Sequence, residues 1–505
     1  MKDLILAHDL GTTGNKASMF DASGTLVASA SSPYGTEYPH PGWAEQDPFD
    51  WWRAVVSSTR KLLGLCGREA SDVAAIGFSG QMMGCLLVDR HGIPLSRAII
   101  WADQRAQQEA SAVADRIGVD EMYRITGHRV SPSYTAAKLL WQRCHQPDLY
   151  AATARVLQAK DYTAFRLCGA MATDYSDASG TNLFDLRARK WAEGILSRLE
   201  LEPSLLPEVV PSATVIGGVT REAAEETGLA AGTPVVIGGG DGACATVGAG
   251  VVRPQDAYCY IGSSSWISHV STEPLYDPEQ RTFTFAHLDP SYLFPTGTMQ
   301  SAGGAYDWLE KLFRGSATDA AHAELDDLAS QVPAGSRGLF FLPYLIGERS
   351  PHWNPNARGC FIGLSMVHGR GELARAVLEG VAYNLRTILG AFRRQDARID
   401  SLRVIGGGAR SPVWRQILAD VLDVPLARPG LAVEATSLGA AIAAGVGVGL
   451  LPGYSVASEW APADPAETPG ADNVQGYDAL YPLFCAAYEA LAPLYNEIAT
   501  QMRSD

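Results

Sequence analysis

A chain of 505 residues is too long for one ordinary hydrophobic core, and at roughly 100–200 residues per domain it calls for two large lobes. Its 47% apolar and 19% charged residues are those of a globular enzyme, without the polar bias of disorder or the long apolar runs of a membrane protein. A formal charge of −15, with no Lys/Arg stripe to reverse it locally, repels a phosphate backbone and argues against a nucleic-acid partner.

Residues 1–6 run straight into an apolar strand pattern, with no basic region or cleavage site of a signal peptide, so the expected compartment is the cytoplasm. The run 4–8 reads as a strand, 9–14 as a tight polar turn, 16–20 as a second strand, and 25–30 as a third after a turn at 21–24. Asp47-Pro48 supplies an N-cap and a first-turn proline for a helix to about Leu63, with Trp51 and Trp52 on its core side. The runs 74–78, 233–237 and 402–405 are short, Val/Ile-bearing and broken by glycines, as sheet strands feeding binding loops are. The class is α/β. The Gly/Ala-rich stretch 438–453 falls short of the ~20 apolar residues of a membrane span and reads as a buried helix. The eight cysteines form no C-x-x-C pair, which points to reduced, buried thiols, and His8, His40, His91 and His352 have no metal-ligand spacing.

Two pairs of segments repeat in order: 8–13 with 236–241 in the first half, 259–264 with 404–409 in the second. Two copies of one strand-turn-strand lobe explain this. The alignment sets Asp9 against Tyr260 and Asp241 against Ala409, so both carboxylates belong to the first copy.

Turns rich in Gly, Ser and Thr aim backbone N–H groups and hydroxyls into one concavity, an arrangement that holds phosphate oxygens. Such turns occur at Gly11-Thr12-Thr13-Gly14 and Gly262-Ser263-Ser264-Ser265, and each also reads as an ordinary hairpin turn. Asp9, at a strand end, suits a Mg²⁺ ligand or a turn cap. Asp241 follows three glycines at the start of a small-residue helix, where a carboxylate serves either as an N-cap or as the general base for an attacking hydroxyl. The stretch 240–245 also fits a loose G-x-G-x-x-A dinucleotide fingerprint, but the acidic residue required about 20 positions on is missing. No G-x-x-x-x-G-K-[ST] loop occurs.

With those residues in hand, the chain resembles the FGGY carbohydrate kinases, nearly end to end. Gly359-Cys360-Phe361-Ile362-Gly363-Leu364, then seven residues, then Glu372-Leu373-Ala374-Arg375-Ala376-Val377-Leu378-Glu379 fits that family's second signature. The first signature is matched in part by residues 133–141, with departures at Gln142 and Cys144. Within the family the chain is similar to the xylulokinase branch through the strings at 43–48, 101–105, 160–162, 174–181 and 341–349. Glu348 and Arg349, in the last of these, either face the cleft or pair with each other. One departure bears on substrate: Met83 stands where the branch carries a histidine, and a thioether cannot donate a hydrogen bond to a sugar hydroxyl.

The resemblance implies two ribonuclease-H-like lobes of the actin and hexokinase superfamily around a central cleft. The first, 1–250, carries the sugar and the base; the second, 251–460, carries the nucleotide; and 461–505 is a helical tail packed on the second. It implies Asp241 as catalytic base and Asp9, with Gly11, Thr12 and Thr13, at the metal and phosphates. Gln81, Met82, Met83 and Asp103 line the sugar pocket by the same argument, with Gly262, Ser263, Gly304, Gly407 and Ser411 on the nucleotide side. The partners implied are a small sugar and MgATP, with no nucleic acid and no membrane, and a homodimer stays open. The alternatives are a family kinase for another ketose or polyol, a non-kinase ATPase of the same superfamily and a dinucleotide oxidoreductase.

Overall fold

The computed structural model describes residues 3–315, 319–431 and 433–502, so Met1, Lys2 and the last three residues of the tail lie outside it. In the first sheet, β1 (Leu4–Leu10) is buried along almost its whole length, as a central strand covered on both faces must be. It runs antiparallel to β2 (Gly14–Asp21), which pairs antiparallel with β3 (Leu26–Pro33); its other edge is parallel to β4 (Val73–Gly80). Beyond β4, with β5 (Val215–Gly218) on the edge, β6 (Pro234–Val236) and β7 (Gly239–Gly240) both run parallel along β4.

The second sheet repeats this frame. Its strands are β8 (Ala257–Ile261), β9 (Ser265–His269), β10 (Phe283–Ala286), β11 (Leu293–Met299), β12 (Leu402–Ile405), β13 (Leu426–Pro429) and β14 (Ala463–Glu467), in the order β10-β11-β9-β8-β12-β13-β14. The block β3-β2-β1-β4-β6 matches β11-β9-β8-β12-β13 in order and in every relative direction. The first pair of repeated segments is therefore equivalent, but the second is displaced by one strand. Leu402–Ile405 borders β8 as Val73–Gly80 borders β1, so 404–409 answers to the end of β4 and the residues after it, and Asp241 does not face Ala409. Glycine-rich text at two neighbouring strand ends produced the misalignment.

The helices that matter below are α1 (Pro48–Cys66), α2 (Thr135–His145), α3 (Asp241–Gly248), α4 (Gly303–Arg314), α5 (Arg370–Arg393), α6 (Pro412–Leu422), α7 (Ala435–Gly447) and α8 (Ala471–Met502). Asp47 caps α1 by accepting from the Phe49 N–H, and Trp51 and Trp52 are buried from it. The segment after residue 460 opens with a strand, β14, before its helix; α8 then packs on α5 and α6, where Tyr477 donates to Glu379 at 2.7 Å.

A further copy-to-copy correspondence is α3 and α7, which follow β6–β7 and β13 and pack against each other between the two seven-stranded sheets. Although α7 comes from the second half of the chain, Ala440, Ala441, Ala443 and Ala444 share one core with Ile5, Ala7 and Ala75 of the first sheet. In return, Ala245 of α3 packs with Tyr258 and Ile405 of the second. The crossing leaves no room for side chains: a Cβ on Gly439 would lie 2.0 Å from the Cys244 carbonyl oxygen, and one on Gly248 1.7 Å from that of Ala435. Of the eight cysteines, all free, only Cys85, Cys244 and Cys259 are buried.

Candidate active site

The strand ends of the first sheet bring two carboxylates to one edge. In register, Asp9 of β1 lies beside Ser79 of β4, and Ser79 beside Gly239 of β7, whose chain turns at once into Asp241. Ser79 donates to Asp9 Oδ1 at 2.8 Å, and Thr436, from the first turn of α7, donates to Oδ2 at 2.6 Å. Neither partner carries a charge to offset the carboxylate. Gly240 occupies the N-cap of α3, so Asp241 is one residue inside the helix and accepts from the Gly242 N–H at 2.8 Å. Burial, and then the negative charge of Asp9, push the Asp241 carboxyl up to about 7. The preceding glycines allow this approach: a Cβ on Gly238, at φ +69°, would lie 1.8 Å from the Phe78 carbonyl oxygen, and one on Gly240 2.6 Å from Met82.

The turn after Asp9 is anchored from behind. Trp101 Nε1 donates to Thr12 Oγ1 at 3.0 Å, Gln46 Nε2 to the Thr12 carbonyl at 2.7 Å, and the Tyr34 hydroxyl to the Gly11 carbonyl. Thr13 is left exposed. In the second lobe, Gly262 and Ser263 are tied to the start of α4, with Gly303 donating to the Gly262 carbonyl at 2.8 Å and Gly304 to that of Ser263 at 3.0 Å. The Tyr260 hydroxyl at the end of β8 is held above its ordinary range by burial and by the charges of Asp241 and Asp9, so this strand end faces the carboxylate pair. One strand over, Gly407 is exposed on the short turn after β12, and Ser411 caps α6 by accepting from Trp414 at 3.1 Å.

The loop after β4 carries Gln81, Met82 and Met83. Gln81 donates to Gln46 Oε1 at 2.7 Å, while its own buried Oε1 has no partner. Met83 holds a left-handed backbone, φ 64°, which costs an L-residue roughly 1–2 kcal/mol. Asp103, expected beside these residues, is held by other partners. It is fully buried, and both oxygens are engaged, by Arg105 at 2.7–3.0 Å and by the Ala44 N–H at 2.6 Å. Arg105 in turn stacks 3.6 Å from the Trp43 ring and pairs with Glu45.

Other residues that build the site lie in the family strings 160–162, 174–181 and 341–349, without a role legible from their neighbours. Lys160 is fully buried against Asp161, Asp174 and Asp177 at 2.6, 3.0 and 3.1 Å, and Ser176, which donates to Asp174, accepts from the Gly240 N–H. A charged cluster therefore supports the strand that ends at Asp241. Glu348 and Arg349 send their side chains to different places. Burial pushes Glu348 up to about 8 while it accepts from the Gln300 and Arg349 N–H groups; the Arg349 guanidinium crosses to the first lobe, donating to Ser133 Oγ at 3.0 Å over the Trp101 ring.

A divalent cation fits this edge by its donor set: two carboxylates in one field, one raising the other, each with lone pairs to spare. That suits Mg²⁺, which takes one or two carboxylates plus phosphate oxygens. Among the described residues no group of three or more His, Cys, Asp or Glu forms a protein-only metal cage.

The FGGY family of carbohydrate kinases matches through its N-terminal domain over residues 4–248 and its C-terminal domain over residues 257–448. The chain belongs to that family. This kinase is 36% identical to the xylulose kinase of Escherichia coli K12, over 97% of its own length and 100% of the relative's. It is 30% identical to the gluconokinase of Bacillus subtilis 168, over 100% and 99% of the two chains. Its fold superposes on the ligand-bound xylulose kinase of Lactobacillus acidophilus with a TM-score of 0.91 at 29% identity, covering 98% and 99% of the two chains. As a sugar kinase of this family it uses ATP as co-substrate, which sets aside both the dinucleotide oxidoreductase and the non-kinase ATPase.

Proposed function

We propose that this kinase phosphorylates D-xylulose at its terminal hydroxyl, giving D-xylulose 5-phosphate, with Asp241 as general base. The observation that carries the reading is the carboxylate pair at the ends of the two strands flanking β4, with Asp241 poised near neutrality, where a base combines availability with proton affinity. Asp241 accepts the proton of the acceptor hydroxyl as that oxygen attacks the γ-phosphorus in line. Asp9 would hold Mg²⁺, which when bound neutralises charge on the phosphate oxygens. Gly11, Thr12 and Thr13 meet the phosphates from the first lobe, residues 1–250, and Gly262, Ser263 and Gly304 from the second, residues 251–460, with 461–505 attached to it. Gly407 and Ser411 take the adenosine end. Gln81, Met82 and Met83 form the sugar wall, and the unpartnered Gln81 Oε1 is an acceptor for a sugar hydroxyl. Asp103 belongs to the same pocket in this reading, fixed in place by Arg105 and the Ala44 N–H. The compartment proposed is the cytoplasm; no described helix is long and apolar enough to cross a membrane.

A second reading, another ketose, polyol or sugar acid, is favoured by Met83 and by the likeness to gluconokinase. ADP release from MgATP with D- and L-xylulose, D- and L-ribulose, glycerol, gluconate and erythritol separates the two. Highest kcat/KM with D-xylulose is the expected result; a higher value with any other acceptor replaces D-xylulose by that acceptor.

A further inference from the structure

Lys138, on α2, is fully buried and touches neither carboxylate of the active site. Its Nζ donates to three backbone carbonyls: Met83 at 2.8 Å, Ile100 at 2.7 Å and Ser133 at 2.7 Å. Each belongs to a different segment with its own tie to the site. Met83 ends the sugar loop in its left-handed conformation. Ile100 precedes Trp101, which anchors Thr12 in the phosphate turn. Ser133 carries the hydroxyl that receives Arg349 from the second lobe. An ammonium has three N–H groups, and here each one is used.

We propose that Lys138 is the positioning residue of the sugar pocket, gathering these three carbonyls into one wall and thereby fixing where Gln81 and Met83 meet the acceptor. The inference rests on reading Gln81 to Met83 as that wall. It makes Lys138 necessary for acceptor affinity and much less so for the nucleotide, most of whose proposed contacts, Gly262, Ser263, Gly304, Gly407 and Ser411, are in the other lobe.

Protonation enters because a neutral amine has only two N–H groups for three carbonyls. Burial pushes Lys138 down to about 7, with Asp103 and Cys85 facing it and opposing that shift, and Arg349 and Arg105 facing it and adding to it. Acceptor affinity should therefore weaken as pH rises from 7 to 9. The base Asp241 acts in the opposite direction, losing activity as pH falls.

The test is steady-state kinetics of the full-length chain with whichever acceptor of the panel it phosphorylates, so an acceptor other than D-xylulose overturns the substrate reading and leaves this test intact. Lys138→Met removes all three donors at similar volume. The expected result is an acceptor KM raised about 10–100-fold, as for loss of hydrogen bonds from a charged group, with the KM for ATP within about two-fold and the alkaline weakening of acceptor affinity abolished. A parallel rise in both KM values, or an unchanged acceptor KM, overturns the proposal. In Met83→Gly, where a left-handed backbone needs no holding, Lys138→Met should raise the acceptor KM by a factor about three-fold smaller than in the parent. Equal penalties in both backgrounds also overturn it. If Lys138→Met does not fold, the parent decides: an acceptor KM rising from pH 7 to 9 at constant KM for ATP supports the assignment, and a flat one overturns it.

Discussion

The two lobes are built on one strand frame but put different chemistry at matching places. Where β1 ends in Asp9 and Leu10, its counterpart β8 ends in Tyr260 and Ile261, so an aromatic ring answers to the carboxylate. Where β4 runs into Gln81, Met82 and Met83, its counterpart β12 runs into Gly406, Gly407 and Gly408. The first loop is walled with side chains and the second is bare backbone. A duplicated frame thus offers two equivalent strand-end loops; in the function proposed above, the first would select an acceptor by its hydroxyls and the second would let main chain approach a nucleotide.

The sharpest way to break this comparison is to remove the carboxylates that only the first lobe carries. Asp241→Ala should lower kcat by about 10²–10⁴-fold with little change in the KM for ATP; near-parent turnover in a folded variant would remove Asp241 as the base. With the base intact, the same group predicts the acid limb: because Asp241 titrates at about 7 and is protonated below it, log kcat should fall toward a slope of one as pH drops from 7 to 5. A profile flat across that range places the base elsewhere. Thr436→Val removes the hydroxyl that the second half of the chain sends to Asp9, and should raise the Mg²⁺ concentration for half-maximal rate by about 10–100-fold, the usual cost of losing a partner of a metal-binding carboxylate. Gly439→Ala forces a methyl against the Cys244 carbonyl and should destabilise the chain by about 1–3 kcal/mol in denaturant titration. Met83→His returns a donor to the sugar loop and should move kcat/KM among ketoses by about ten-fold or less, read on the same acceptor panel.

Legibility in the sequence followed the range of the contact. The hairpin β1–β2, the capped start of α1 and the strand Leu402–Ile405 were readable because their signals lie within a few neighbouring residues. The carboxylates Asp9 and Asp241 stood out as lone acids beside glycine-rich turns. Which strand each repeated segment becomes was not readable, since glycines end or follow β4, β7 and β12 alike and pairing is decided far along the chain. Lys138 lay inside a recognised signature, yet a lysine that serves three carbonyls looks in sequence like any helical lysine. Thr436 had no signal at all, because its partner is 427 positions earlier. Asp103 was legible as an acid in a family string, but its burial under Arg105 depends on Trp43 and Glu45 closing over it.

The exchange of helices between the sheets has a consequence for how the chain can be divided. A fragment ending near residue 250 would possess all seven strands of its sheet and still lack the alanines of α7, leaving Ile5, Ala7 and Ala75 facing water. The remaining fragment would lose Ala245, which fills the space beside Tyr258 and Ile405. Each half holds a piece of the other's interior, so the two seven-stranded sheets belong to a single unit of assembly.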